Sequence, residues 1–275
     1  PAALCYILLQ AHFKLPSVMT LHVDFNEKAM PGSRSLLKSA LKCVDVFVAV
    51  SDFVYDSVVS NFPEIKPRIF TIKNTIDLCC NPSPVSFSPI NLLFVGRLNP
   101  QKGVSVLLQA FQTIQKQYQA VSLTIVGDGP EEMALKQLAE QLQLQKIYFI
   151  GKVSKDKVSV FYQKASIILM PSIFEPFGLV ALEAFMMQRP LIATSVGGLQ
   201  KIIKHNVTGL LVEKNNPDAI VSAVKRLVDD EAFSLQLAKN AREDALANYS
   251  HDTMCEQYEQ VYKALCVKEG IKDES

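Results

Sequence analysis

The sequence predicts an α/β chain with two Rossmann-like domains, each built on a parallel, doubly wound sheet. Three observations predict it. From residue 91 onward, short apolar runs alternate strictly with amphipathic stretches. The first eighty residues repeat that alternation in shorter form. Between them, Asn81-Pro82-Ser83-Pro84 through Pro89 is rich in turn residues and has no hydrophobic period, which places a domain boundary after residue 82. Alternating βα units of this length require parallel strands joined by right-handed crossovers.

The elements follow in order. In the first part, strands are expected at Val18 to His22, Val46 to Val50 and Ile69 to Lys73, separated by helical segments, with Ser51 as a helix N-cap. In the second, strand Leu92 to Val95 leads to a helix over Val104 to Tyr118. There Val104, Leu107, Leu108, Phe111 and Ile114 keep the three-and-four spacing that packs one helix face on a sheet. Strand Leu123 to Val126, helix Glu131 to Leu142, strand Ile147 to Ile150 and helix Lys155 to Lys164 come next. Strand Ile167 to Met170 precedes a helix from Gly178, and strands Leu191 to Thr194 and Leu210 to Val212 follow. The chain closes on three successive helices, Pro217 to Asp230, Glu231 to Asn248 and Asp252 to Cys266. Pro217 after Asn216 suits a first helical position.

Composition narrows the function classes. With 49% hydrophobic and 20% charged residues over 275 positions, the chain is a folded globular one. Its net charge of +1, from 28 basic and 27 acidic residues, gives no field to steer a polyanion, so nucleic acid is not an expected partner. The six cysteines show no zinc-ligand spacing and no disulfide framework, which points to a reducing compartment, the cytoplasm. The apolar stretch Ala2 to Leu9 lacks the flanks of a signal peptide and is too short to span a bilayer. The chain starts at Pro1, inside an apparent helix, and reads as a piece of something longer.

In an open parallel sheet, ligands gather at the carboxyl ends of the strands. Strand Leu92 to Val95 runs into Gly96-Arg97-Leu98-Asn99-Pro100-Gln101-Lys102-Gly103, which sets two cations five residues apart before a helix N-terminus. A diphosphate fits such a loop, because glycines admit the backbone and the helix end adds positive potential. On their own, Arg97 and Lys102 read better as solvated loop cations; the exit from a parallel strand sets a ligand-binding reading level with that one.

The second constellation is Pro171 through Ala184. Glu175 lies among Phe174, Pro176 and Phe177, a poor place for a carboxylate without a hydrogen-bonding partner, and a pair of sugar hydroxyls would satisfy it. Glu183 falls on a largely apolar helix, where a purely structural role would make it a partly buried, unpaired charge; a surface carboxylate and a functional one are the other readings. The backbone amides of Gly178, Leu179 and Val180 at that helix start can meet phosphate oxygens. Gly127-Asp128-Gly129-Pro130 is no dinucleotide fingerprint, so a dehydrogenase is disfavoured, and Pro130 reads as a helix starter. The chain has no Asp-x-Asp pair, no His-Glu-x-x-His helix, no P-loop and no Gly-x-Ser-x-Gly elbow, leaving metal and serine-nucleophile chemistry without support. His22, at the end of the first strand, occupies a functional edge, although a lone histidine is ordinarily structural.

These segments together resemble the family 4 retaining glycosyltransferases of the GT-B fold. Leu93-Phe94-Val95-Gly96-Arg97-Leu98 with Lys102-Gly103 looks like their diphosphate-binding loop. Glu175 and Glu183, separated by seven residues, look like their paired glutamates; Ala193 to Gly198 and Thr208-Gly209-Leu210-Leu211-Val212 follow the same pattern. The resemblance implies a nucleotide-sugar donor whose diphosphate is held by Arg97 and Lys102 without a metal or other cofactor. It implies Glu175 on hydroxyls of the transferred sugar, Glu183 on the ribose, the Lys152-Val153 turn on the base through its backbone, and His22 beside the sugar.

By the same resemblance the reaction retains the anomeric configuration through same-face attack by the acceptor hydroxyl. The implied partners are a UDP-, GDP- or ADP-sugar donor and a glycan or lipid acceptor, with peripheral attachment at a cytoplasmic membrane face open for the latter. The implied organisation is an incomplete acceptor-side domain over residues 1–82, lacking the family's first strand and glycine-rich loop. A donor domain then spans 83–250, and a helix over 251–275 packs back toward the first domain. A non-catalytic nucleotide-sugar-binding fragment is the alternative. The chain departs from the pattern at Thr75, where the family usually has glycine, at Gln188-Arg189-Pro190, which replaces a usual glycine before the proline, and at Lys201, where an acidic residue is common.

Overall fold

The computed structural model describes residues 16–22, 41–76 and 81–268. The apolar start Ala2 to Leu9, His12, Cys5, Cys79 and Cys80 lie outside them. In chain order the elements are β1 (Val18–Leu21), β2 (Val46–Ala49), α1 (Asp52–Asn61), β3 (Ile69–Thr71), β4 (Ile90–Val95), α2 (Val104–Gln117), β5 (Val121–Val126), α3 (Glu132–Gln141), β6 (Ile147–Gly151) and α4 (Lys155–Lys164). They continue with β7 (Ile167–Met170), α5 (Leu179–Met186), β8 (Leu191–Thr194), α6 (Leu199–Ile202), β9 (Leu210–Val212), α7 (Pro217–Asp229), α8 (Glu231–Asn248) and α9 (His251–Lys268). The α/β class with two parallel Rossmann-like sheets is therefore the one the sequence predicts. The short helix α6 went unpredicted, because four residues carry no period to read.

The chain divides into two compact units, one running to Thr75 and resuming at His251, the other Ile76–Ser250. In the first, β1, β2 and β3 form a parallel sheet in that order, with Val18 opposite Val46 and Phe47 opposite Ile69. Its core is Phe47, Val48, Val54, Val58 and Ile65, all without exposure. Ser51 caps α1 as expected, its Oγ accepting from Val54 N at 3.1 Å. The segment before β2 is anchored by Asp45, which accepts from Ser17 N at 2.9 Å and Ser17 Oγ at 2.7 Å. Helix α9 joins this unit through Tyr258, 3.1 Å from Thr20 Oγ1, and Met254, whose sulfur accepts from Thr75 Oγ1 at 3.5 Å.

In the second unit the six parallel strands run in the order β6-β5-β4-β7-β8-β9. Counted within the sheet, the order is 3-2-1-4-5-6, the doubly wound arrangement, and its reversal point lies between β4 and β7. Leu92 and Leu93 sit there in register with Ile167 and Ile168. One core layer joins Leu92, Phe94, Leu123 and Ile125 of the sheet to Leu107 and Phe111 of α2 and Val224 and Leu227 of α7. On the other side of the sheet, α5 lies against β7 and β8 and is backed by α8. Asn216 caps α7 through its Oδ1, 3.0 Å from Ala219 N, with Pro217 at the first helical position, as the sequence predicts.

Arg189, within the departing run Gln188-Arg189-Pro190, is a buried tie. Its side chain is 1% exposed and donates to Ser83 O at 2.5 Å, Ser83 Oγ at 2.8 Å and the carbonyls of Ala165 and Pro84 at 3.4 and 3.5 Å. Burial lowers its pKa. A guanidinium offers five donors in a rigid fork, so one side chain ties the segment ahead of β4 to the end of α4. Among the described residues, no helix is long and apolar enough to cross a membrane.

Candidate functional site

The site begins where β4 ends. Gly96 N donates to Val126 O at 3.0 Å, Leu98 N to Asp128 O at 2.7 Å, and Glu131 N to Leu98 O at 3.0 Å, binding the Arg97 loop to the loop after β5. The two loops lie so close that a Cβ on Gly127, whose φ is +132°, would stand 1.9 Å from Gly96 O. Gly127-Asp128-Gly129-Pro130 thus fixes the Arg97 loop. Pro130 does not start α3, which begins at Glu132 behind Glu131, because residues 129–131 are spent on this backbone contact.

The other flank of β4 is held in the same way. Gln101 O accepts from Ile173 N at 2.7 Å and Phe174 N at 3.3 Å, and a Cβ on Gly103, at φ +63°, would lie 2.2 Å from Pro171 O. With the exits of β4 and β7 joined by backbone, Lys102 Nζ reaches Glu175 Oε2 at 2.5 Å. Glu175 is 8% exposed. The sequence left this carboxylate without a partner other than a ligand; the structure supplies Lys102, a contact that sequence separation conceals. Glu175 O also accepts from Gly198 N at 2.8 Å, which draws in the loop after β8.

Directly beyond Glu175, α5 opens on Gly178, and no side chain caps it. Its first backbone bond is Ala181 N to Gly178 O at 2.9 Å, so the amides of Leu179 and Val180 lie ahead of the helical ladder. Such a helix start favours an anion. Little more than one turn on, Glu183 Oε2 accepts from the phenol of Tyr162 at 2.5 Å. Burial raises the Glu183 pKa, a change that the Tyr162 hydrogen bond and the charge of Lys155 counter. Burial, together with the adjacent Glu183 charge, holds the Tyr162 phenol well above its ordinary range. Glu183 is thus neither the surface carboxylate nor the unpaired charge that the sequence left open.

A cleft of about 770 Å³ lies on the β5 side of Arg97, lined by Gly96, Arg97, Asp128, Gly129, Lys152 and Val153. Arg97 is exposed. The second unit therefore gathers Arg97, Lys102, Lys152, Val153, Glu175, Gly178, Leu179, Val180 and Glu183 around the carboxyl ends of β4, β6 and β7. His22 belongs to the first unit, exposed just past the end of β1. Among the described residues, no cluster of three or more histidine, cysteine, aspartate or glutamate side chains could hold a metal ion.

Tyr162 is the site residue that the sequence did not disclose, yet it left a signal. It falls four residues after Val158 on the apolar face of α4, and a tyrosine fully enclosed in a core needs a partner for its hydroxyl. Glu183, a carboxylate on an apolar helix, is the complementary signal.

Comparison with known proteins gives the family. Residues 86–244 match the family model described as glycosyl transferases group 1. An uncharacterized glycosyltransferase of Methanocaldococcus jannaschii is 40% identical over 173 residues, covering 62% of this chain and 44% of its own length. Glycogen synthase of Mycobacterium tuberculosis is 26% identical over 270 residues, covering 94% of this chain and 65% of its own. The chain thus spans between 44% and 65% of the length of these two relatives. Among solved structures, Anabaena HepE in complex with UDP superposes with a TM-score of 0.83 at 21% identity, over 96% of this chain and 76% of that one, which shows the fold. With more than half its length matched by the family model, the chain belongs to the glycosyl transferases group 1 family.

Proposed function

We propose that the chain carries the donor half of a glycosyltransferase that moves a sugar from a nucleoside diphosphate to an acceptor hydroxyl. The reading includes retention of anomeric configuration, the family 4 chemistry that the motifs resemble, and no metal requirement. One observation carries it: the 2.5 Å pair of Lys102 and Glu175 at the reversal point of the sheet, beside the uncapped start of α5.

In this reading the diphosphate lies between Arg97, Lys102 and the amides at Gly178, Leu179 and Val180. As the bond from the anomeric carbon to the diphosphate breaks, negative charge grows on the leaving oxygen and positive charge on the sugar ring. Preorganised cations and amides lower the energy of that charge, doing the work a metal does elsewhere. Glu175 orients sugar hydroxyls and, through its pairing, holds Lys102 before the donor arrives. Glu183 accepts from the ribose, and the Lys152-Val153 turn lines the cleft for the base. His22 acts in the transfer step, so His22→Ala in the full-length enzyme lowers turnover more than donor affinity.

The fold shared with a protein solved with UDP favours a UDP-sugar over the GDP and ADP alternatives. The acceptor is a glycan or lipid hydroxyl, reached in the cytoplasm or at the cytoplasmic face of a membrane. Calorimetric titration with UDP, GDP and ADP, each in the presence of EDTA, tests the reading. It expects one of them to bind with micromolar affinity and chelator to change nothing. Absence of binding by all three contradicts the donor site; binding abolished by EDTA contradicts the metal-free part.

A further inference from the structure

We propose that Tyr162 is a positioning residue of the donor site, orienting Glu183 so that one carboxylate oxygen stays open to the ribose hydroxyls. The inference rests on the donor reading above and adds to it a residue and a specificity.

The geometry comes from the two helices that precede and follow β7 in the sequence. Tyr162 stands near the end of α4, without exposure, and its phenol donates to Glu183 Oε2 on α5 at 2.5 Å. A phenol held this way has one hydrogen to give, and Glu183 takes it. A carboxylate has two oxygens with about four acceptor positions between them. Glu183 Oε1 accepts no hydrogen bond among the described residues. It is also absent from the enclosed, unpaired atoms, where Asn99 Oδ1 and Arg189 Nε are found, and so remains reachable from solvent. One oxygen is pinned and the other keeps some surface in solvent.

The consequences are chemical. Glu183 sits where burial disfavours its charge, so a stabilising donor is needed to keep it an acceptor; Tyr162 supplies that donor, and Lys155 at the start of α4 adds a cation. A carboxylate free to rotate would divide its hydrogen bonding among several geometries, and fixing one oxygen removes that freedom before the nucleotide arrives. The free oxygen then accepts from a hydroxyl, and a vicinal diol such as a ribose is the sugar part of any nucleoside diphosphate. Helix α4 begins a few residues after Lys152 and Val153 of the cleft, so the turn offered to the base and the tyrosine behind the ribose contact belong to one continuous segment.

Tyr162→Phe removes a single oxygen and keeps the ring that fills the core, and a thermal melt verifies that the fold persists. The probes are UDP, 2′-deoxy-UDP and 3′-deoxy-UDP, titrated calorimetrically into wild type, Tyr162→Phe, Glu183→Gln and the double variant. Wild type is expected to prefer UDP over at least one deoxy analogue by about tenfold, the value of a hydrogen bond to a charged group. Tyr162→Phe is expected to lower that preference to about threefold or less while its affinity for the deoxy analogue stays within twofold of wild type. The double variant is expected to lose no more preference than Glu183→Gln alone. Equal weakening of all three nucleotides would make Tyr162 merely structural and overturn the inference, as would an unchanged preference or additive losses in the double variant. Failure of wild type to bind UDP, GDP and ADP alike would instead remove the donor reading beneath it.

Discussion

Lys102 and Glu175, 73 positions apart in sequence, meet at 2.5 Å because the loops after β4 and β7 are bound together by the backbone of Gln101, Ile173 and Phe174. The carboxylate is nearly enclosed while the ammonium keeps part of its surface in solvent, with side-chain exposures of 11% and 24%. Such a pair can turn its cation toward an arriving phosphate without moving the backbone. On the proposed reading, the two residues separate experimentally by which part of the donor each one meets.

Glu175→Gln should leave UDP affinity within about threefold of wild type and weaken a UDP-sugar by about tenfold, because the sugar hydroxyls lose a charged acceptor. Competition of the two ligands against a fluorescent nucleotide measures the difference. A variant that weakens both equally would move Glu175 from the sugar to the phosphates.

Gly103→Ala should destabilise the second unit by about 1–3 kcal/mol, since the residue is left-handed and its Cβ would enter Pro171 O, a backbone atom with no room to give. Urea unfolding measures the loss. Nucleotide binding should fall with it, because the same displacement parts Lys102 from Glu175. A variant with wild-type stability would contradict the close approach of the two loops.

Arg189→Ala should cost about 2–4 kcal/mol, because it strands the carbonyls of Ser83, Pro84 and Ala165 and leaves a cavity between them. The same unfolding experiment reads it out, and nucleotide affinity measured on the folded fraction should stay near wild type. Stability within 0.5 kcal/mol of wild type, about the ordinary effect of a surface substitution, would reduce Arg189 to a bystander.

Glu183 gives stability a pH dependence of known sign. Its folded pKa is raised, mainly by burial, so the protonated form is favoured in the folded state. That contribution is fully present below the ordinary glutamate range and is lost as pH rises through the raised value. Glu183→Gln abolishes the titration, so the melting temperature of the variant relative to wild type should rise between pH 4 and pH 7. A difference that stays flat or falls across that range would contradict the assigned shift.

Much of the fold was legible because its signals are local. Helix periods such as Val104-Leu107-Leu108-Phe111, the caps at Ser51 and Asn216, and the strict alternation of elements each require only neighbouring residues. Strand limits were less so: Val50 and Lys73 lie beyond β2 and β3, because an apolar or β-prone residue at a strand end looks the same paired or unpaired. The contents of the site were legible at the loops after β4 and β7, where glycines and charges interrupt the apolar pattern. Its connections were not. The ion pair of Lys102, the phenol behind Glu183, the fork of Arg189 and the press of Gly127 on Gly96 all join residues distant in sequence, and no local pattern records which partner a buried polar group will find.

The central claim, that Lys102 meets the diphosphate of a nucleotide donor, is tested most directly by titrating Lys102→Ala and wild type with UDP and with uridine. The account predicts a loss of about tenfold or more for UDP, the value of one charge-assisted contact, and uridine affinity within twofold of wild type. Equal UDP affinity in the two proteins, or an equal loss for uridine, would contradict it.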